Sequence, residues 1–171
     1  MTPDEALPVY DTGYDARGSA APSTTLLTRP RPETPCQPGT TLMTGREVLD
    51  HLVGLVGPRL PASPVVWFTF LDGARRVVPL AVPFDGLPGL PSSGPVAEIV
   101  DVVSSALAQH PDGLVVLVAI SRPSGGGLGA FERRWATAIW RAADDAGWTV
   151  DRMVAVGTDR AAPLDRDALC G

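Results

Sequence analysis

Residues 114–147 read LVVLVAISRPSGGGLGAFERRWATAIWRAADDAG, and this stretch decides the fold class. Residues 114–120 form an unbroken apolar run rich in valine. A strand with one wet face alternates apolar and polar residues; a strand without alternation is covered on both faces. After a glycine-rich loop at 121–129, Phe131, Trp135, Ile139, Ala142 and Ala146 recur at helical spacing. Gly147 ends that helix. A further strand is predicted over residues 148–156, and residues 157–171 read as a polar turn with one short helical turn near 165–169.

The same two patterns continue upstream. Pro95 is placed to open a helix, where its missing N–H leaves nothing unpaired, and Val96, Ile99, Val100, Val103 and Leu107 give it an apolar face. Residues 83–94 are a loop rich in Pro and Gly. The run Val65-Val66-Trp67-Phe68-Thr69-Phe70-Leu71 is β-branched and aromatic, a second strand buried on both faces. Asp72-Gly73 turns the chain into a returning strand at 76–82, and Pro79 within it calls for a sheet edge or a bulge. Thr44 and Glu47 have capping-box spacing, and Met43 with Val48 has the spacing of a hydrophobic staple. Val48, Leu49, Leu52, Leu55 and Val56 form the helical stripe that follows, stopped at Gly57-Pro58. The predicted class is α/β: a mixed sheet with flanking helices, in the order α-β-β-α-β-α-β.

Residues 1–41 hold seven prolines and eight threonines without apolar periodicity. Such a segment cannot bury enough surface to offset its ordering entropy, so it is predicted to be a disordered tail before one domain at 42–171. Its two aromatics, Tyr10 and Tyr14, each precede an aspartate. That pattern reads either as a short docking motif or as chance in a linker.

Composition narrows the chemistry. All 14 basic residues are arginine, which excludes a Schiff-base or P-loop lysine. The net charge of −5 argues against nucleic acid as the default partner. The first residues carry no basic n-region followed by an apolar run, and no stretch of 18 apolar residues occurs, so neither a signal peptide nor a membrane span is expected and the cytoplasm is the expected compartment. Cys36 and Cys170 are too few for a disulfide framework, and His51 and His110 stand apart in the sequence, so no metal site and no cofactor are expected. His51 reads as a polar helix-face residue, and His110 as a group set at a helix C-terminus. Ser121 and Ser124 lie where α/β sheets commonly meet ligands, but no G-x-S-x-G elbow surrounds them. No catalytic residue is assigned.

The 121–129 loop can be read in two ways. Glycines between a buried strand and a helix suit phosphate contact, and Arg122, Ser124, Gly125, Gly126 and Arg133 are then the anion-binding candidates. A plain strand-to-helix connection needs no ligand. Arg133, Arg134 and Arg141 likewise read as a local anion patch with Arg122, or as a solvated helix face on which Asp144 and Asp145 partner Arg141.

The run Val118-Ala119-Ile120-Ser121-Arg122-Pro123-Ser124-Gly125, followed by a helix ending Ala146-Gly147 and a strand, resembles the RadC-type branch of the JAB/MPN metalloprotease-like fold. In that family the strand enters an H-x-H-P-S-G loop, and an acidic metal ligand follows at the start of the helix. Pro123-Ser124-Gly125 matches. The histidine positions, however, hold Ile120 and Arg122, and the acidic position falls on Arg133 with Glu132 beside it. A guanidinium has no acceptor and stays protonated, so Arg122 cannot ligate a metal; Arg122 and Arg133 would instead hold an anion or pair with Glu132. The resemblance therefore implies a metal-free, JAB/MPN-like relative with none of the family's catalytic residues. The leading expectation is a non-catalytic scaffold or protein-interaction module, its partner unidentified and a second copy of the chain left open. The alternative is an anion- or nucleotide-binding enzyme built on the loop and nearby arginines.

Overall fold

The computed structural model describes residues 34–169; the tail expected before Thr34, with Tyr10 and Tyr14, lies outside the described residues. The elements are α1 (Gly45–Val56), β1 (Val65–Leu71), β2 (Val77–Asp85), α2 (Ser93–Ala108), β3 (Val115–Ser121), α3 (Ala130–Ala146), β4 (Thr149–Val156), β5 (Ala161–Pro163) and α4 (Arg166–Leu169). The predicted order holds, and the short β5 and α4 follow it. The five strands form one sheet in the order β2-β1-β3-β4-β5. β1 pairs antiparallel with β2 and β3, β3 parallel with β4, and β4 antiparallel with β5, so the sheet is mixed.

Alternate residues of the apolar strands enter opposite faces. Val66, Phe68 and Phe70 of β1 and Val116, Val118 and Ile120 of β3 pack with Ile99 and Val103 of α2 and Trp135 and Ile139 of α3. Leu71, Leu117, Ala119, Val154 and Val156 pack instead with Val48, Leu52 and Val53 of α1. The result is three layers, with α1 on one face and α2 and α3 on the other. The proline prediction is met as well: β2, with Pro79, is the outer strand beside β1.

Three local expectations are corrected. Residues 34–41 do not belong to a detached tail. Gly39 N–H donates to the Val77 carbonyl at 2.8 Å, and Val77 N–H donates to the Thr40 carbonyl at 2.9 Å. Cys36 N–H donates to His51 Nδ1 at 3.1 Å. The Thr34 carbonyl lies so close to Gly54 that a Cβ there would collide with it. The segment is held largely by main-chain bonds, which composition does not register. The capping box of α1 forms, with Glu47 N–H donating to Thr44 Oγ1 at 3.2 Å and Thr44 N–H donating to Glu47 Oε2 at 2.8 Å. Its staple does not: Met43 is 69% exposed, and Leu42, at 1%, is the buried neighbour. Finally, α2 begins at Ser93, two residues before Pro95. Proline is tolerated there because the first four helical N–H groups have no intrahelical partner.

Candidate functional site

The β3–α3 loop leaves the carboxyl end of a fully covered strand. Arg122, just past that strand, turns back onto the first turn of α3. Its Nε donates to Glu132 Oε1 at 2.6 Å and its Nη2 to Glu132 Oε2 at 3.0 Å, a bidentate pair. Nη1 donates to Ser124 Oγ at 2.8 Å, and the guanidinium lies 5.2 Å from the Phe131 ring centroid. Glu132 is 1% exposed while the Arg122 side chain keeps 25%. The carboxylate holds the Arg122 guanidinium more firmly protonated than usual, chiefly by accepting these hydrogen bonds.

The glycines serve this closure. A Cβ on Gly129 would stand 2.5 Å from Glu132 Oε2, and one on Gly125 2.9 Å from both Glu132 Oε1 and Arg122 Cγ. Gly126 has φ +88°, and a Cβ there would strike the Arg160 carbonyl. Arg160 Nε in turn donates to the Gly125 carbonyl at 3.1 Å, and Thr158 Oγ1 to the Pro123 carbonyl at 2.9 Å. The chain's own carboxylate thus occupies the fork of Arg122. A cleft of about 310 Å³ remains outside the loop, between Pro123–Gly125 and Thr158–Arg160.

Of the sequence candidates, Arg122, Ser124, Gly125 and Gly126 are brought together here. Arg133 is not: it lines a separate groove between α2 and α3. This groove has a volume of about 950 Å³. Val96 and Val100 of α2, Ala138 and Ala142 of α3, and Leu90 and Leu169 at its margins supply apolar walls, and Leu90 is largely exposed. Arg133, Arg134 and Arg141 stand along the α3 side, all exposed. None of the three has an ion-pair partner among the described residues. Of the two partners expected for Arg141, Asp144 pairs instead with Arg166 of α4, and Asp145 forms no ion pair with Arg141. Asp101 and Asp145 also line the groove.

No family model matches this chain, and no curated protein matches it.

Ile120, His51, Cys36 and His110 make their contacts within the fold. Ile120, at the first position where the resemblance would put a histidine, is buried in the core beneath α2 and α3. His51 is not the polar helix-face residue expected from sequence: it is 2% exposed, and its Nδ1 accepts the Cys36 amide. Burial pushes its pKa down, and that bond requires an unprotonated Nδ1, which together fix the neutral imidazole. Cys36 lies beside it, but burial and then the charge of Asp50 push its thiol pKa up, the reverse of an activated nucleophile. His110 sits at the end of α2 with Nδ1 3.0 Å from the Ala106 carbonyl, as expected of a helix-terminal group. Among the described residues no three His, Cys, Asp or Glu side chains converge as a metal site would need, and no helix is long and apolar enough to cross a membrane.

Sequence reading offered Glu132 as a partner for Arg122 or Arg133 without making it the centre of the loop, and it missed the groove altogether. The first had a signal, since Glu132 stands three residues after the Gly129 N-cap, where an acidic residue favours a helix start. The second had none, because it depends on how far apart two helices sit.

Proposed function

We propose that this chain is a non-catalytic α/β interaction module, a metal-free relative of the RadC-type JAB/MPN fold, whose α2–α3 groove takes an extended segment carrying apolar anchors and acidic flanks. One observation carries the reading: three exposed arginines without ion-pair partners among the described residues border an apolar groove of about 950 Å³. Exposed apolar surface with a polar rim is the usual form of a binding surface. Arginine left unneutralised beside it selects for carboxylates. The JAB/MPN relationship is supported by the Pro123-Ser124-Gly125 turn at a strand-to-helix junction. The absence of catalysis is supported by an Arg122–Glu132 pair where the family would place a ligand and its surroundings.

The test is selection of peptides from a displayed random library on the full chain. The expected binders combine Leu, Phe or Tyr with Asp or Glu, and lose at least tenfold in affinity to Arg134→Glu/Arg141→Glu and to the groove-filling Ala138→Trp. Enrichment of nothing, or of peptides indifferent to both variants, would overturn the reading. A thermal shift with nucleotides that vanishes in Arg122→Ala would move the function to the 121–129 loop.

A further inference from the structure

Segment 4–15 of this chain reads DEALPVYDTGYD. It carries four carboxylates (Asp4, Glu5, Asp11 and Asp15) and no basic residue, with Leu7, Val9, Tyr10 and Tyr14 as apolar side chains. Its carboxylates complement the arginines of the α2–α3 groove, and its apolar side chains the groove's apolar walls. The segment lies outside the described residues, and it is joined to Thr34 by residues 16–33. We propose that the groove's occupant in the free protein is segment 4–15 of the same chain, so that the protein covers its own docking surface until a competitor displaces it. The inference rests on the groove being a docking site.

Three arguments support this occupant. The first is charge. Four carboxylates meet Arg133, Arg134 and Arg141, which exceed the groove's own Asp101 and Asp145. The second is shape. Pro8 and Gly13 interrupt any helix through the segment, which fits an extended occupant, and about seven extended residues match the about 24 Å length of α2. The tyrosines, with large faces and few rotatable bonds, suit shallow apolar walls. The third is reach. Thr34 sits against α1, on the opposite face of the sheet. The 16–33 tether spans up to about 60 Å when extended, against about 36 Å across a domain of this size. Tethering keeps the segment's effective concentration high enough for weak contacts to hold it.

The experiment places a photo-reactive benzoylphenylalanine at Thr137 in the full chain and maps its cross-links by mass spectrometry. Cross-links to residues 4–15 within single chains are expected. They should be lost in Arg134→Glu/Arg141→Glu and in the full-length variant whose Asp4, Glu5, Asp11 and Asp15 are changed to Asn or Gln. Cross-links between isotopically heavy and light chains in a mixture would overturn the proposal in favour of a second copy, and so would an absence of cross-links to this segment. A second measurement separates this proposal from the reading it rests on. A library-selected peptide should bind the Asn/Gln variant at least three times more tightly than the native chain. Equal affinity for both would leave the groove a docking site and remove the tail from it. No groove binding by any peptide would remove both.

Discussion

Arg122 and Glu132 share one hydrogen-bonded pair but differ in their access to water, and this asymmetry makes the pair testable. Removing Arg122 strands a carboxylate that is 1% exposed. Removing Glu132 leaves a guanidinium that can swing further toward solvent. Breaking a fully buried pair costs about 3–5 kcal/mol. Arg122→Met is expected near the low end of that range and Glu132→Gln about 1 kcal/mol below it, with Arg122→Met/Glu132→Leu recovering part of the loss. Urea unfolding of the three variants checks the order; a Glu132→Gln loss exceeding that of Arg122→Met would contradict it. Sequence exposed Arg122 as a candidate and Glu132 as one of two things it could hold, but did not decide between that carboxylate and a bound anion, because contact across a loop is set by where the loop folds back. His51 adds a pH dependence. Its pKa is lowered on folding, so above the unfolded pKa it contributes no pH dependence. As pH falls through that value, the unfolded chain gains a proton that the native imidazole refuses, and stability drops by at most about 1.4 kcal/mol per pH unit. Unfolding at pH 7.5 and 5.5 should show a larger loss for the native chain than for His51→Gln, whose amide oxygen can still accept the Cys36 N–H.

At the scale of elements, the β3–α3 loop distinguishes glycines that fill a geometric need from those that only turn the chain. Gly126 combines φ +88° with the Arg160 carbonyl in the path of any Cβ. Gly86 has φ +67° with nothing within 4 Å of a Cβ. A left-handed alanine alone costs about 1–2 kcal/mol. Gly86→Ala is therefore expected to destabilise by about 1 kcal/mol and Gly126→Ala by at least about twice that, read from their denaturation midpoints at constant m. Equal losses would mean that the loop can relax away from the Gly157–Arg160 turn. The strands β1 and β3 and the helices α1 and α3 were legible because their apolar periods are long and their ends carry capping and stop residues. β5 was not. Three residues pairing with the far end of β4 have no period to read, and Ala161 and Ala162 look like any short turn.

For the whole molecule, sequence announced a sheet covered on both faces, since neither β1 nor β3 alternates. It misplaced the point at which the chain joins that sheet. Residues 34–42 close the α1 face: Leu42 is 1% exposed within the α1 cluster, Arg75 Nε donates to its carbonyl at 2.7 Å, and Thr41 bridges to Arg76. Composition marked residues 34–41 as tail because they are rich in proline and threonine, while the bonds that hold them come largely from the backbone. The consequence is a sharp dependence on where the chain is cut. A protein beginning at Thr34 keeps every one of these contacts. One beginning at Met43 loses Leu42, the Gly39–Val77 and Thr40–Val77 main-chain bonds and the Cys36 amide that donates to His51 Nδ1. The buried leucine alone is worth about 2–5 kcal/mol when removed. The shorter protein is accordingly expected to unfold at least 5 °C below the longer one, since about 2–4 °C follow each kcal/mol at this size. Calorimetry of the two would decide it: matching midpoints would mean that α1 and the sheet close without this strap, and that the ordered domain begins at the helix cap after all.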